Sequence, residues 1–328
     1  MDQAGARPEV DNVACMTRAV VATAVGGPEV LELVEQPVQA PGPGEARIAV
    51  RAAGVNPIDW KLYSPAMGAG AGFPMRLGFE AAGVVTEVGP QAAGPAGPLA
   101  VGDEVIAYPL SGAYADELVA PAGSLLPKPA EMSWEQAGGL LLAGATAAHT
   151  LAATGLEGDE TVLVHGAAGG VGLMVVQLAV ARGARVIATA SERNHDYLRQ
   201  LGAEPTTYGE GLTERVWMLA PDGLDAAIDC VGTDEAVDVS LELIADRDRI
   251  ATIAAYQRAG DAGIQLLGNG PGADPGSEIR NAARMELVKL VEQGKLELGA
   301  RAFALEDAAA AHREGQTGHV TGKLVLVP

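Results

Sequence analysis

A glycine-rich turn carries the clearest chemistry in this chain. Residues 162–172 read Val-Leu-Val-His-Gly-Ala-Ala-Gly-Gly-Val-Gly. A short apolar strand that leads through such a turn into a helix lets backbone N–H groups approach a pyrophosphate, and the helix N-terminus favours its negative charge. A second apolar run, 185–190, follows at the distance that a β-α-β unit requires. The pattern predicts a dinucleotide site. The alternative is a tight strand-to-helix turn that binds nothing.

The end of the second strand indicates which dinucleotide is bound. NAD sites usually place an Asp or Glu there, which bonds the ribose 2′-hydroxyl and repels a 2′-phosphate. In this chain the position holds Ala190, and Ser191 and Arg193 follow it. Glu192 adds a negative charge, so a prediction of NADPH assumes that its side chain points to solvent. The alternative is that Ser191 and Arg193 only cap and solvate a surface helix.

Alternating strands and helices must position this turn. Such alternation predicts a doubly wound parallel sheet of the Rossmann type, with the dinucleotide beyond the C-terminal ends of the strands. Ser133 and Gln136 have the capping-box spacing, and they precede a nearly continuous apolar segment, 137–154, which predicts one buried helix. A further helix is expected over 277–292. The strands are predicted near 162–165, 185–190, 205–208, 226–229 and 249–253.

The first third of the chain predicts a separate β domain. Its short runs of Val, Ala and Ile are bounded by Gly or Pro, which is typical of a compact, partly open β-barrel. The run 322–327 is a further strand that we expect to rejoin this barrel. The predicted organisation is a disordered extension at 1–15, a catalytic barrel domain at 16–137 to which 275–328 returns, and a dinucleotide domain at 138–274.

The charge balance limits the partners of the protein. The chain carries 42 acidic and 22 basic residues, a net charge of −20. Such a surface does not suit nucleic acid or an anionic membrane. No run approaches the roughly 18 apolar residues of a membrane span, and residues 1–15 lack the apolar core of a secretory signal. The two cysteines, Cys15 and Cys230, do not predict a disulfide framework. We therefore expect a cytoplasmic protein with a small-molecule substrate.

A family resemblance rests on six segments in a common order and spacing: AAGVNPIDWK (52–61), LGFEAAGVVTEVG (77–89), VGDEVIA (101–107), GATAAHTL (144–151), VLVHGAAGGVG (162–172) and GKLVLVP (322–328). Over about residues 18–328 the chain resembles the zinc-independent medium-chain dehydrogenase/reductases, in the quinone oxidoreductase (zeta-crystallin-like) branch. The resemblance implies an α/β fold in which a Rossmann domain joins a GroES-like, partly open β-barrel. It also implies an NADPH-dependent enzyme that works as a homodimer or homotetramer, and we expect the homodimer.

Two positions argue against a catalytic metal. Zinc-dependent members of the superfamily carry a Cys where Asn56 stands and a His where Phe79 stands, next to the Glu at Glu80. Without the thiolate and the imidazole, neither the number nor the softness of the ligands suits Zn²⁺. The Cys-rich structural zinc loop of those enzymes is also missing. We therefore predict no metal.

The resemblance also supplies candidate catalytic residues. Relatives with the Asn-Pro-x-Asp-x-Lys pattern, which spans 56–61 here, resemble alkenal/alkenone and quinone reductases. By that resemblance Asn56 borders the nicotinamide. Lys61 bonds the ribose or stabilises negative charge on the acceptor oxygen, unless it is an ordinary surface lysine. Water or Tyr63 delivers the proton. Enoyl reductases of the superfamily carry a proton-donating Tyr where Met67 stands, which disfavours a strict acyl-thioester enoyl reductase.

The predicted activity is metal-free, NADPH-dependent hydride transfer to quinones or α,β-unsaturated carbonyl compounds. Two alternatives stay open: a trans-acting enoyl reductase of polyketide metabolism, and a non-enzymatic, NADPH-binding protein of the crystallin type. By resemblance, Tyr208 joins Ser191 and Arg193 around the adenosine 2′-phosphate, and the segment 144–146 borders the nicotinamide. The candidate cofactor-binding residues are Thr146, Gly166, Ala168, Gly169, Gly170, Val171, Thr189, Ser191, Arg193, Tyr208, Val231, Ile253 and Lys323.

Overall fold

The computed structural model of the chain describes residues 15–328. The extension predicted at 1–15 lies outside these residues except for Cys15, which opens the first strand. In that part of the chain the strands are β1 (Cys15–Ala22), β2 (Leu31–Val38), β3 (Glu45–Val55), β4 (Met75–Arg76), β5 (Ala81–Val88), β6 (Ala93–Gly94), β7 (Gly97–Pro98), β8 (Glu104–Ala107), β9 (Glu117–Pro121), β10 (Leu125–Pro127), β11 (Thr161–His165), β12 (Arg185–Thr189), β13 (Glu204–Thr206), β14 (Ala226–Asp229), β15 (Ile250–Thr252), β16 (Gln265–Leu266), β17 (Ala300–Ala304) and β18 (Lys323–Val327).

The α-helices between them include two long ones, α3 (Leu140–Ala153) and α9 (Ser277–Glu292), that pack against each other. In residues 15–328 the helices are α1 (Pro57–Leu62), α2 (Trp134–Gly138), α3 (Leu140–Ala153), α4 (Gly170–Ala181), α5 (His195–Gln200), α6 (Leu212–Leu219), α7 (Asp234–Leu243), α8 (Tyr256–Ala262), α9 (Ser277–Glu292) and α10 (Ala308–Gln316). No helix of the described chain is both long enough and apolar enough to cross a bilayer.

A parallel six-stranded sheet forms one half of the described chain. Its order is β13-β12-β11-β14-β15-β16, which places the switch point of the strand order between β11 and β14. The central strand β11 is apolar and buried on both faces, as a strand between two helical layers must be. The Rossmann-like architecture predicted from the sequence is confirmed.

Mostly antiparallel strands form the other half, the GroES-like barrel. A seven-stranded sheet of the described residues runs β10-β8-β5-β3-β18-β17, with β9 paired to β3, and a smaller sheet contains β2, β1 and β4. The side chains of β3 alternate between buried and more exposed over most of its length, because one face of the strand covers the barrel interior. The predicted fold class is confirmed for both halves.

The last strand rejoins the barrel, as the sequence predicts. β18 pairs antiparallel with β3 and parallel with β17. The helix α9, which the sequence grouped with the returning segment, instead packs on α3 and shares its buried core with the parallel sheet. The return to the barrel sheet therefore begins at β17. The domain boundaries themselves remain a prediction.

The apolar segment 137–154 is not one helix. α2 ends at Gly138 and α3 begins at Leu140. A Cβ on Gly139 would stand 3.0 Å from Cε of Lys323, and a Cβ on Gly138 would stand 2.7 Å from the Ala52 carbonyl oxygen. The break thus lies where the segment crosses β3 and β18. The capping box of Ser133 and Gln136 is present at the start of α2, as predicted.

Candidate functional site

A cleft of about 710 Å³ opens where the barrel meets the C-terminal ends of the parallel strands. One wall comes from the glycine turn and the strand ends of the parallel sheet. The other comes from the end of β3, the start of α1, and the segment that leads from α10 into β18. The predicted site residues that line the cleft are Asn56, Gly166, Ala168, Gly169, Gly170, Val171, Thr189, Ser191, Arg193, Tyr208, Val231, Ile253 and Lys323.

The glycine turn has the geometry that a pyrophosphate needs. Gly166 adopts φ +67°, in the left-handed region, and a Cβ on Gly172 would stand 2.3 Å from the Gly166 carbonyl oxygen. The Thr189 hydroxyl accepts the N–H of Gly166 at 3.3 Å and so ties the turn to the neighbouring strand. No side chain caps α4 at Gly169. The N–H groups of its first turn are therefore available to an anionic group, and the residues fit a dinucleotide.

The strand end that discriminates between ribose hydroxyl and phosphate carries no acid. Ala190 is buried, with 3% of its surface exposed, and Ser191, Arg193 and Tyr208 line the cleft beyond it. Glu192 is exposed and does not line the cleft. This is the orientation that the prediction of NADPH requires. The arrangement offers a cation, a hydroxyl and an aromatic ring to a 2′-phosphate.

Two hydrogen bonds join this end of the parallel sheet to the opposite wall. Arg193 donates to the His319 carbonyl oxygen at 2.7 Å, and the Thr321 hydroxyl donates to Oδ1 of Asn194 at 2.9 Å. The segment 315–320, which lines the cleft, is thereby attached to the first turn after β12. Arg193 thus already has a partner near the position where a phosphate would bind.

At the other end of the cleft, Asn56 is held by a buried ion pair. Nζ of Lys323 lies 3.0 Å from Oε1 of Glu80, and it also donates to Oδ1 of Asn56. Nδ2 of Asn56 donates to the same Glu80 oxygen at 3.0 Å, and the Leu142 N–H donates to the second oxygen at 2.8 Å. All three side chains are at least 96% buried, since at most 4% of any of them is exposed. A fully partnered buried pair of this kind fixes side-chain orientation.

The residues around Asn56 do not fit a zinc ion. The carboxylate of Glu80, which zinc-dependent members of the superfamily have beside their ligands, is occupied by the ammonium of Lys323 and the amide of Asn56. In the described part of the chain no three His, Cys, Asp or Glu side chains are grouped so that they could hold a metal ion. The donor set therefore offers neither the number nor the type of ligands that zinc takes.

Lys61 does not line the cleft. Its Nζ lies 5.0 Å from the ring centroid of Tyr256, at the start of α8, in a cation–π contact between barrel and parallel-sheet halves. Burial lowers the pKa of Lys61. The neighbouring residue Trp60 does line the cleft, as does Ile253, three residues before Tyr256. Lys61 thus lies beside the cleft, and the structure does not bring its ammonium into the cavity.

Two further predictions need correction. Tyr63 has none of its surface exposed, and its hydroxyl lies 2.8 Å from Nδ1 of His312 inside the barrel, so it does not reach the cleft. A hydroxyl in that position cannot deliver a proton directly to a bound substrate. Thr146 lies within α3, buried and outside the cleft lining, where Ala143 takes its place. At a rise of about 1.5 Å per residue, Thr146 lies about 4.5 Å further along the axis of α3 than Ala143.

Sequence reasoning missed the residues that fix the strand ends. Oδ1 of Asp229 accepts the N–H groups of Val231 at 2.9 Å and Gly232 at 2.8 Å, and the Thr252 hydroxyl donates to Oδ2 at 2.7 Å. His165 lines the cleft, and burial lowers its pKa to about 4, so it is neutral at physiological pH. An acid at the end of an apolar strand, as in Ala-Ala-Ile-Asp, is the signal by which the sequence could have indicated Asp229.

Comparison with known proteins identifies both halves of the chain. Residues 42–130 match the alcohol dehydrogenase GroES-like domain, and residues 170–268 match the zinc-binding dehydrogenase family. The chain is 35% identical to the quinone oxidoreductase of Pseudomonas aeruginosa, over 95% of this chain and 100% of that protein. It is 31% identical to the 2-haloacrylate reductase of a Burkholderia species, over 95% and 99%. It is also 35% identical to part of the spectinabilin polyketide synthase system protein NorB of Streptomyces orinoci, over 92% of this chain and 14% of that protein.

Solved structures show the same fold. An NAD-dependent alcohol dehydrogenase superposes with a TM-score of 0.81 at 30% identity, covering 95% of this chain and 99% of that one. A mycobacterial protein complexed with NADPH gives 0.81 at 31% identity, covering 95% and 100%. The quinone oxidoreductase from Coxiella burnetii gives 0.79 at 31% identity, covering 96% and 100%.

Proposed function

The chain belongs to the medium-chain dehydrogenase/reductase superfamily, in its quinone oxidoreductase-like group, and on that premise we propose that it reduces quinones or α,β-unsaturated carbonyl compounds with NADPH. The observation that carries the proposal is the cleft itself. It has the glycine turn on one wall and, on the other, Asn56 and Lys323, which are bonded to each other and to the buried Glu80 carboxylate. A reductase that does not need a Lewis acid on an alcohol oxygen fits this combination.

The adenosine end supports NADPH over NADH. Ala190 puts no carboxylate at the strand end, and Arg193 and Tyr208 lie on the cleft surface beyond it. The carboxylate of Glu235, which also lines the cleft, accepts the Gly209 N–H at 3.0 Å. The mycobacterial relative complexed with NADPH adds support, whereas the NAD-dependent alcohol dehydrogenase shows that the fold accepts either cofactor. The side chains at this end, rather than the fold, therefore carry the choice of cofactor.

The side chains of the cleft would position the cofactor and the acceptor, and would form no covalent bond to either. A bound nicotinamide supplies a hydride, and the protein must hold its ring within about 3–3.5 Å of the acceptor carbon. Lys323 and Glu80 hold the Asn56 carboxamide in one orientation at that end. The ammonium of Lys323 donates to the Val55 carbonyl oxygen, to Asn56 and to Glu80, so all three of its hydrogens serve to hold this end of the cleft. With Tyr63 buried elsewhere, water delivers the proton.

An enoyl reductase of polyketide metabolism is the second candidate, because part of a polyketide synthase is as similar to this chain as the quinone oxidoreductase is. Met67 stands where those enzymes carry a proton-donating tyrosine, and it is 44% exposed outside the cleft lining. This residue favours the quinone or enone acceptor. The 2-haloacrylate reductase relative supports reduction of an activated carbon–carbon double bond.

We also propose that the enzyme is a cytoplasmic homodimer that binds neither nucleic acid nor membranes.

Steady-state assays test the proposal. Purified protein is incubated with NADPH or NADH and a panel of p-benzoquinone, an alkenal, an alkenone and a crotonyl thioester, and loss of the reduced nicotinamide absorbance is followed. We expect turnover of a quinone or an enone with NADPH preferred. Preference for the crotonyl thioester would support the second candidate. NADPH binding without turnover of any acceptor would support the non-enzymatic alternative.

A further inference from the structure

Four buried side chains form a continuous hydrogen-bonded chain beneath Asn56, outside the cleft. Asp59, Tyr63, Tyr114 and His312 are each 0% exposed. The Tyr63 hydroxyl lies 2.8 Å from Nδ1 of His312, Nε2 of His312 lies 3.1 Å from the Tyr114 hydroxyl, and that hydroxyl donates to Oδ2 of Asp59 at 2.9 Å. The chain crosses the barrel interior from α10 to α1, and none of its members lines the cleft.

The chain has a defined direction. Because Tyr114 donates its only hydrogen to Asp59, its oxygen must accept from His312, which therefore carries its hydrogen on Nε2. Nδ1 of His312 is then an acceptor, and Tyr63 donates to it. Three donors in series thus point toward one carboxylate. The tautomer of His312 is fixed by the charge of Asp59.

The carboxylate at the end of this chain holds the backbone of Asn56. Oδ2 of Asp59 accepts the Asn56 N–H at 2.8 Å, and Oδ1 accepts the Gly78 N–H at 3.0 Å. The Asn56 side chain is held independently by Lys323 and Glu80. We propose that Asp59, Tyr114 and His312 are positioning residues, which fix the backbone of Asn56 at the nicotinamide end of the cleft through this directional chain. The proposal rests on the proposed function, in which Asn56 borders the nicotinamide.

The charge of Asp59 titrates in the physiological range. Burial raises the pKa of Asp59 to about 7, against the hydrogen bonds from Asn56, Tyr114 and Gly78, which lower it. Burial lowers the pKa of His312 to about 4, so the ring stays neutral. Uptake of one proton from solvent makes Asp59 a donor to Tyr114, Tyr114 a donor to Nε2 of His312, and Nδ1 of His312 a donor to the Tyr63 oxygen. The Tyr63 hydrogen, which no longer has His312 as its acceptor, rotates away from the ring. The hydrogen of His312 then lies on Nδ1, directed at Tyr63.

Other charged groups face the chain from neighbouring elements. Lys323 on β18 favours the ionised form of Asp59, and Glu80 acts on Tyr114 with the opposite sign. Glu29 and Arg313 act on Tyr63 with opposite signs. None of these four is a link of the chain, so each moves the midpoint of its reversal without removing the reversal itself.

Nitrogen NMR of labelled histidine tests the chain without cofactor or substrate. In the wild-type protein we expect His312 to be the neutral Nε2–H tautomer above pH 7 and to change to Nδ1–H with a midpoint near 7 as the pH falls. The variant Tyr114→Phe cuts the chain, and the tautomer should no longer follow the titration of Asp59. Tyr197→Phe removes a tyrosine hydroxyl on α5, outside the chain, and should leave the transition unchanged. A constant tautomer from pH 5 to 9 in the wild type would overturn the proposal.

The pH profile of kcat distinguishes positioning from a purely structural role. Because ionised Asp59 holds the Asn56 N–H more strongly, kcat should fall as the pH drops through about 7. Loss of the Tyr114 hydroxyl removes a bond to the charged carboxylate, so Tyr114→Phe should move this midpoint upward by about one pH unit. The Kd of NADPH should stay within about twofold. An unmoved midpoint in a folded variant would contradict the positioning role.

The NMR titration and the kinetic assay distinguish failure of the proposed function from failure of the hydrogen-bonded chain. If the protein shows no reductase activity, the proposed function is wrong, while the NMR transition still reports on the chain. If Tyr114→Phe does not fold, the wild-type titration decides alone, since a tautomer that changes near pH 7 in a neutral histidine requires a coupled acid.

Discussion

At the residue scale, Asn56 is constrained from two sides. Its side chain bonds Lys323 and Glu80, and its backbone N–H bonds Asp59. The two buried carboxylates, Glu80 and Asp59, are separate: the first is paired with an ammonium, the second with hydroxyl and N–H donors. Removing one partner of a buried ion pair typically costs about 3–5 kcal/mol, so the Lys323–Glu80 pair that holds the Asn56 side chain is costly to break.

Arg193 should determine the preference for NADPH. Arg193→Ala removes the cation at the position of the 2′-phosphate, and a charge-assisted bond of this kind contributes roughly 1.5–3 kcal/mol. We expect the KM for NADPH to rise by about 10- to 150-fold and the KM for NADH to change little. Arg199→Ala is the matched control, because Arg199 on the same helical segment bonds Asp196 and lies outside the cleft. Equal effects on both cofactors would contradict the assignment.

Lys61 should affect the acceptor more than the cofactor. Its ammonium lies over Tyr256, beside the cleft rather than in it, and has no carboxylate partner in the described residues. We therefore expect Lys61→Met to lower kcat/KM for the acceptor by about tenfold, in the range of a modest electrostatic contribution, with an unchanged Kd for NADPH measured by fluorescence.

Lys128→Met is the control for this lysine. Lys128 makes a similar cation–π contact, 4.9 Å from the Trp134 ring centroid, away from the cleft. Lys128→Met should leave both kcat/KM for the acceptor and the Kd of NADPH near their wild-type values. If Lys61→Met raised the Kd of NADPH instead, the lysine would anchor the ribose. If neither constant changed, it would be an ordinary surface lysine.

At the scale of elements, the turn between β11 and α4 contains one glycine that the fold requires and another that leaves room for a ligand. Two of its glycines meet very different surroundings. A Cβ on Gly172 would clash with backbone atoms of Gly166 and Ala167, whereas the nearest atom to a Cβ on Gly169 is 3.5 Å away, an ordinary contact. One glycine is therefore required by the packing of the turn, and the other leaves space at the cleft surface.

Substitutions at these two glycines should have opposite consequences. Gly169→Val should fold, because the space is free, and should weaken NADPH binding by at least tenfold, because the methyl groups fill the approach to the phosphates. Gly172→Val should instead lower the free energy of unfolding strongly, because the backbone must shift. Circular dichroism and fluorescence titration separate the two effects. A folded Gly169→Val protein with unchanged NADPH affinity would place the phosphates elsewhere.

Local elements could be predicted from the sequence, whereas long-range contacts could not. The strand, turn and helix at 161–181 follow from local apolar patterning and glycine spacing, and the helix over 277–292 from its amphipathic pattern. The position of Tyr63 depends on His312, which lies 249 residues away in sequence. The break at Gly139 depends on Lys323 in the same way. The cleft wall at 315–320 carries no motif of its own, so only the fold brings it to the site.

At the scale of the whole molecule, the cleft exists only where the two halves meet. The glycine turn belongs to the parallel sheet, while Asn56 and Lys323 belong to the barrel. The isolated bridge between Gly169 and Gly322 and the bond from Arg193 to the His319 carbonyl oxygen join the halves along the cleft. A relative movement of the halves would therefore alter both ends of the dinucleotide site together.

Activity should not depend on a metal. Because Lys323 and Asn56 occupy the Glu80 carboxylate, exhaustive treatment with EDTA should leave kcat unchanged, and elemental analysis should find no stoichiometric zinc. A zinc-dependent alcohol dehydrogenase treated in parallel is the positive control and should lose activity. Zinc at one equivalent per chain, with activity lost on chelation and restored by zinc, would contradict the prediction.

The pairing of β18 with β3 sets an order on biosynthesis. The two strands are separated by about 268 residues, as in the bond from Lys323 to the Val55 carbonyl oxygen. At a translation rate of roughly 5–20 residues per second, β18 is therefore synthesised on the order of 10–50 s after β3. Throughout that interval the unpaired edge of β3 stays open on the ribosome, and such apolar edges bind chaperones or other nascent chains. The strands of the parallel sheet are all synthesised before β18. The expression yield should therefore depend on chaperones that cover the edge of β3 until β18 pairs with it.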